Sequence, residues 1–193
     1  MNTYRLFIAV ELPEAVKDAL SGVQRRLQAD HFPVKWVAPG AMHLTLRFLG
    51  ETDAALVGPL GDALQAALGG LPAPLLHVTR AGAFPGLARP SVLWVGVGGD
   101  LEALSRAGAA LGRELDALGL PPADKPFAPH LTIGRVRRDA DRAAQARLGE
   151  RVRALQPVEA PPWRAEHVTL FRSDLRPAGP VYQPVATCRL QIA

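Results

Sequence analysis

Apolar positions dominate residues 4–10, and the aromatic and β-branched side chains there predict a strand. After Pro13 the pattern changes. Val16, Leu20, Val23 and Leu27 fall on one stripe with charges opposite, which predicts a helix packed on one side. Val34 to Val37 predicts a short strand. Met42 to Leu49 alternates, with Leu44, Leu46 and Phe48 on one face and His43, Thr45 and Arg47 on the other. A helix is expected over 53–68, kinked or delayed by Pro59. Strands near 73–81 and 91–97 flank a Gly/Pro-rich loop, Gly82 to Pro90. Asp100 reads as the N-cap of a helix to about Leu118, with Leu101, Leu104, Leu111, Leu115 and Leu118 inward. Strand 128–135, helix 140–155 and strands 164–171 and 184–191 complete the pattern. Strands and helices alternate with short connections, an α+β arrangement.

A shift of 87 residues superimposes much of this pattern on itself. It lays Arg5-Leu-Phe-Ile-Ala-Val10 on Val92-Leu-Trp-Val-Gly-Val97, and Pro39-Gly-Ala-Met-His-Leu-Thr45 on Pro126-Phe-Ala-Pro-His-Leu-Thr132. Five of the seven residues in the second pair are identical, and the helices at 53–68 and 140–155 fall into step. The expected architecture is bilobal. Two pseudo-symmetric lobes, approximately 1–87 and 88–174 with a C-terminal strand to 193, each carry an antiparallel sheet and helices. Their His-x-Thr strands would face each other across a central cleft.

Composition narrows the chemistry. A single cysteine, Cys188, excludes an intramolecular disulfide and a cysteine-based zinc cage. Nineteen of the 22 basic residues are arginine, whose fork of donors suits planar anions such as phosphate; a GC-rich genome gives the same bias. The net charge is +4. The apolar stretch Leu6 to Val10 is too short for a signal peptide and no run reaches 18 apolar residues, so the expected location is the cytoplasm.

His-x-Thr occurs four times, at His43, His77, His130 and His167, and each strand places its His and Thr on one face. Only His43 and His130 share the frame Pro-x-Ala-x-His-Leu-Thr. His77 and His167 break the 87-residue register and read as structural; His31, beside Phe32-Pro33, reads as a loop residue. Two histidines facing across a cleft suit in-line displacement at phosphorus: one neutral imidazole accepts a proton while the other, protonated, donates one. Thr45 and Thr132 would donate to non-bridging phosphate oxygens. This scheme uses no metal and no cofactor.

The paired motifs His43-Leu-Thr-Leu46 and His130-Leu-Thr-Ile133 resemble the two-histidine phosphoesterase superfamily. The segments Arg5-Leu-Phe-Ile-Ala-Val-Glu-Leu-Pro13, His43 to Glu51, Phe127 to Arg135 and Gly179-Pro-Val-Tyr182 are similar to the bacterial and archaeal RNA 2′,3′-cyclic phosphodiesterases, also called 2′-5′ RNA ligases. The resemblance spans the chain. It implies a bilobal α+β fold and hydrolysis of RNA 2′,3′-cyclic phosphate ends to 2′-phosphates, in some members with reversible 2′-5′ joining. It makes His43 and His130 the acid–base pair and Thr45 and Thr132 phosphate donors. The order expected has His130 activating water and His43 protonating the departing 3′ oxygen, although pseudo-symmetry permits either. Arg135 matches the basic position after the second motif, yet strand parity puts it with Leu131 and Ile133 unless the chain bulges near Gly134. Arg47 has the parity of His43 and Thr45, a second phosphate contact. Tyr182 either stacks on a base or packs. RNA is the expected partner and a monomer the expected state.

Other readings are weaker. Val95-Gly-Val-Gly-Gly-Asp100 lacks the third glycine of a dinucleotide-binding turn, with Leu101 in its place. No His-Glu-x-x-His supports a metallohydrolase. A non-catalytic RNA-binding module, or a phosphodiesterase for a cyclic nucleotide or an ADP-ribose cyclic phosphate, stays open.

Overall fold

The computed structural model describes residues 2–123, 126–155, 157–176 and 179–192. Strand β1 (Thr3–Glu11) carries five consecutive buried residues, Leu6 to Val10, the mark of a strand covered on both faces. Helix α1 (Glu14–Gln28) buries Val16, Leu20, Val23 and Leu27 and ends on Arg25 and Arg26, where the helix dipole favours cations. The chain continues through β2 (Val34–Trp36), β3 (His43–Asp53), α2 (Val57–Leu68), β4 (Leu75–Phe84), β5 (Val92–Gly99) and α3 (Leu101–Ala117). Then follow β6 (His130–Val136), α4 (Arg142–Ala154), β7 (Trp163–Arg164), β8 (His167–Arg176) and β9 (Gly179–Arg189).

Of the two alternatives expected at Pro59 the structure shows the delay: a 3₁₀ turn at Ala54–Leu56 comes first, and Pro59 then sits in the first turn of α2, where no N–H is missed. Three expectations need correction. Strand β4 runs on through Gly82 to Phe84 because β5 pairs with it over that length. The last strand starts at Gly179, tolerating Pro180 and Pro184 because β9 lies at the sheet edge, where N–H groups need no partner strand. Asp100 does not cap α3 through its side chain; its carboxylate accepts from the Leu75 N–H at 2.9 Å, and Leu101 is 40 % exposed rather than inward.

The strands among the described residues form one antiparallel sheet in the order β7-β4-β5-β6-β3-β1-β8-β9, with β2 extending the β3 side of β6. The order is palindromic about the β6–β3 seam. β4 joins β5 rather than β1, and β8 joins β1 rather than β5. Each half of the sheet thus borrows a strand from the other half of the sequence. The helices follow suit: α2 packs on α3 and β9, while α4 packs on β4 and α1 on β6. The sheet is curled, for Tyr182 on β9 reaches His43 on β3, three strands away.

The packing of α4 hinges on one glycine. A Cβ at Gly149 would stand 1.8 Å from the backbone oxygen of Leu87, in the segment that follows β4. Gly149→Ala therefore costs about 1–3 kcal/mol of stability as helix and loop move apart. Urea denaturation should show a lower midpoint at unchanged slope; an unchanged midpoint would contradict this seating of α4.

Candidate active site

At the seam the two central strands touch through one antiparallel pair, Leu44 with Leu131, both with side chains buried in the core. One residue to either side, this register sets His43 opposite Thr132 and Thr45 opposite His130. Alternation turns all four away from the core, onto one face. The two His-x-Thr motifs therefore meet as expected, and each histidine lies beside the other motif's threonine.

Each imidazole is fixed in the same way. Nδ1 of His43 lies 2.8 Å from the carbonyl oxygen of Ala41, and Nδ1 of His130 lies 2.7 Å from that of Ala128. A carbonyl only accepts, so each Nδ1 donates and each Nε2 is left to exchange a proton. The rings differ in surroundings. His43 contacts Phe7 at 4.8 Å and the edge of Tyr182 at 5.3 Å, with Phe171 stacked behind Phe7. His130 meets Phe84 edge-on at 5.0 Å and Trp94 at 6.5 Å. Burial pushes the His43 pKa below its usual value; the Ala41 carbonyl pulls the other way, and the positive charges of Arg135 and His130 push it down further.

A bulge follows each motif and decides what else reaches this face. On β3, Thr45 pairs with Ala9 but Arg47 with Ile8, so Leu46 is the extra residue. On β6, Thr132 pairs with Trp94 but Gly134 with Leu93, so Ile133 is the extra residue. Beyond each bulge the parity reverses. Arg135 consequently returns to the face of His130 and Thr132, and its charge reaches both His43 and Tyr182. Arg47 is turned the other way. It shares the side of buried Ile8, and its guanidinium donates to the Pro121 carbonyl, so the parity expected from unbroken alternation is overturned. Phe48 takes the position on β3 that Arg135 takes on β6, and is 64 % exposed.

Tyr182 packs edge-on against Phe7 at 4.9 Å and against His43. Burial raises the pKa of its hydroxyl, opposed by the charges of Arg135 and Arg5. His77 and His167 stand exposed on β4 and β8, His31 lies in the turn after α1, and Cys188 is buried. Among the described residues no group of three His, Cys, Asp or Glu side chains gathers to hold a metal ion.

Three contributors were not picked out from the sequence. Phe7 reads as an ordinary strand residue there, and Phe84 falls in the loop expected over Gly82 to Pro90. Gln24, on the buried face of α1, donates through Nε2 to the carbonyls of Val37 (2.7 Å) and Ile133 (2.8 Å), which ties the helix to the bulge that aims Arg135. A polar residue on an otherwise apolar helical stripe was the available signal.

A model of the LigT like Phosphoesterase family matches residues 10–94 and 98–182. The chain belongs to that family. Among LigT-like relatives, an RNA 2′,3′-cyclic phosphodiesterase of Methanothermobacter thermautotrophicus is 33 % identical over 96 % of this chain and 98 % of its own length. One from Thermus thermophilus is 37 % identical over 92 % of this chain and 86 % of its own. The solved structure of TT0787 of Thermus thermophilus superposes with a TM-score of 0.74 at 31 % identity, covering 97 % of this chain and 98 % of that one. E. coli LigT complexed with 3′-AMP gives 0.72 at 25 % identity, with 98 % and 99 % covered. The α+β fold with its curled antiparallel sheet is the LigT fold.

The charge near His43 gives a direct test of this geometry. In an NMR titration His43 should protonate below the usual histidine range, and Arg135→Gln should raise its midpoint by removing a cation that disfavours the imidazolium. An unmoved midpoint would place Arg135 away from the ring.

Proposed function

We propose that this chain hydrolyses RNA 2′,3′-cyclic phosphate ends to 2′-phosphates, with His43 and His130 as the acid–base pair and Thr45 and Thr132 as donors to the phosphate. The observation that carries this reading is the seam register, which brings two imidazoles, each tied to a carbonyl through Nδ1, and two hydroxyls onto one face. The names of the LigT-like relatives point to the same substrate.

In-line attack needs a proton acceptor on the water side and a proton donor on the far side of phosphorus. Water loses its proton to neutral His130 as its oxygen bonds to phosphorus. The bond from phosphorus to O3′ breaks, and protonated His43 gives its proton to that oxygen, leaving a 2′-phosphate and a free 3′ hydroxyl. Burial disfavours the His43 imidazolium in the empty site, and the negative phosphate beside the ring favours it when substrate is bound. Thr45 and Thr132 stabilise the charge that grows on the non-bridging oxygens. Arg135, exposed on the same face, adds a cation, and Tyr182 holds the His43 ring rather than stacking on a base. No step calls on a metal ion.

The repeat read from the sequence belongs to this proposal. Its support is the pair of bulges at Leu46 and Ile133, 133 − 46 = 87 residues apart, and the two matches of the family model. The offset is not uniform: Glu11 pairs with His43 and Gly96 with His130, so β1 and β5 correspond at 96 − 11 = 85. Because one chain supplies both halves of the cleft, the working unit is a monomer, acting on RNA in the cytoplasm.

Three measurements test the reading. Turnover of an RNA ending in a 2′,3′-cyclic phosphate should persist in EDTA and yield a 2′-phosphate; a 3′-phosphate would reverse the leaving group, and loss on chelation would remove the metal-free scheme. His43→Ala and His130→Ala should each lose roughly 10²–10⁴-fold. With sulfur in place of O3′ the leaving group needs no proton. His43→Ala should then recover most of its loss and His130→Ala should not, whereas the opposite pattern exchanges the two roles.

A further inference from the structure

Arg135 is not alone on its row. The short strand β2 pairs with β6 so that Lys35 is the cross-strand partner of Arg135. Partners directly opposite in an antiparallel pair share a face. The register fixes which: Val34 and Trp36 crowd the position where a Cβ on Gly134 would lie, on the covered side, so Lys35 and Arg135 project on the side of His130 and Thr132. Both are exposed, and among the described residues neither has an ion pair or a side-chain hydrogen bond to a carboxylate. Like charges directly opposite on a sheet repel, and among the described residues no carboxylate pairs with either to offset the repulsion.

The row stands two rungs beyond Thr132, roughly 7 Å along the strand. That is about one nucleotide step from the phosphate held between the histidines. Among the described residues the other half of the cleft shows no counterpart: Phe48 takes the place of Arg135, and the next outward pair on that face is Arg5 with Glu51, a cation against an anion. The pseudo-twofold axis is broken in charge where a second phosphate would lie.

We propose that Lys35 and Arg135 form a second phosphate subsite, which holds the internucleotide phosphate next to the cyclic end and makes the enzyme prefer an RNA strand to a cyclic mononucleotide. This rests on the cyclic-phosphodiesterase reading above and adds the side chains that engage the strand beyond its cyclic end. The strand enters over the β2–β6 end of the cleft, and the terminal ribose lies toward the seam. Arg135, whose charge acts on His43, serves both phosphates; Lys35, one strand farther out, serves the second.

The test compares Lys35→Gln and Lys35→Arg with the unmodified chain on two substrates, a 2′,3′-cyclic mononucleotide and a trinucleotide ending in a 2′,3′-cyclic phosphate. Lys35→Gln should lower the trinucleotide-to-mononucleotide ratio of kcat/KM about tenfold through KM, and Lys35→Arg should keep it. Binding of the trinucleotide 2′-phosphate product at several salt concentrations gives a readout independent of turnover. The slope of log affinity against log salt should fall by about 0.7 in Lys35→Gln, the value for one phosphate contact on a single strand. An unchanged ratio and slope, or an equal loss on both substrates, would overturn the subsite. Failure of the unmodified chain to open either cyclic phosphate would instead overturn the underlying reading of the reaction.

Discussion

Leu44 and Leu131 hold the two halves of the sheet together, and the rest of the site depends on that contact. Each leucine is fully removed from water, worth about 1.5–3 kcal/mol apiece. Because the pair fixes an antiparallel register, it also fixes which residues stand on the opposite face. A slip of one residue in either strand would send that strand's histidine into the core and its leucine into the cleft. Stability and chemistry are therefore set by one pairing: the apolar side chains make the register costly to change, and the polar ones use it.

The bulges at Leu46 and Ile133 add the second constraint. Without them, alternation would carry Arg47 onto the face of Thr45 and send Arg135 into the interior. With them, an arginine and an exposed phenylalanine stand at corresponding places on either side of the histidine pair. On the β6 side Gln24 holds the carbonyl of the bulged residue from a buried helix face, so a residue far from the cleft by sequence governs what enters it. Burial of such an amide is tolerated because its donors are used.

How much of this could be read from the sequence depended on the kind of signal. Periodicity located the strands and helices because it reports burial directly, and the shared frame around His43 and His130 separated them from His77 and His167. Parity arguments succeeded where strands stay regular and failed across a bulge. Arg135 was tied to a condition that the structure meets, while Arg47 rested on unbroken alternation that the structure lacks. Asp100 shows the same limit: a residue suited to capping was engaged instead by the Leu75 N–H, a partner that only tertiary structure supplies. The borrowing of β4 and β8 between halves of the sheet left no mark in the sequence, since each strand reads alike beside either neighbour.

That borrowing bears on how the chain assembles. Strands β4, β5 and β6 are contiguous in sequence apart from one helix, so their half of the sheet closes from segments made close together. Strand β1, made first, has its β8 partner more than 150 residues later, with Leu6 against Arg172. Long-range pairings form slowly because the loop must close before any contact rewards it. On the ribosome, the half that carries His130 can be built while β1 still exposes an open edge. The half that carries His43, the more enclosed of the two rings, is completed only as the final strands emerge.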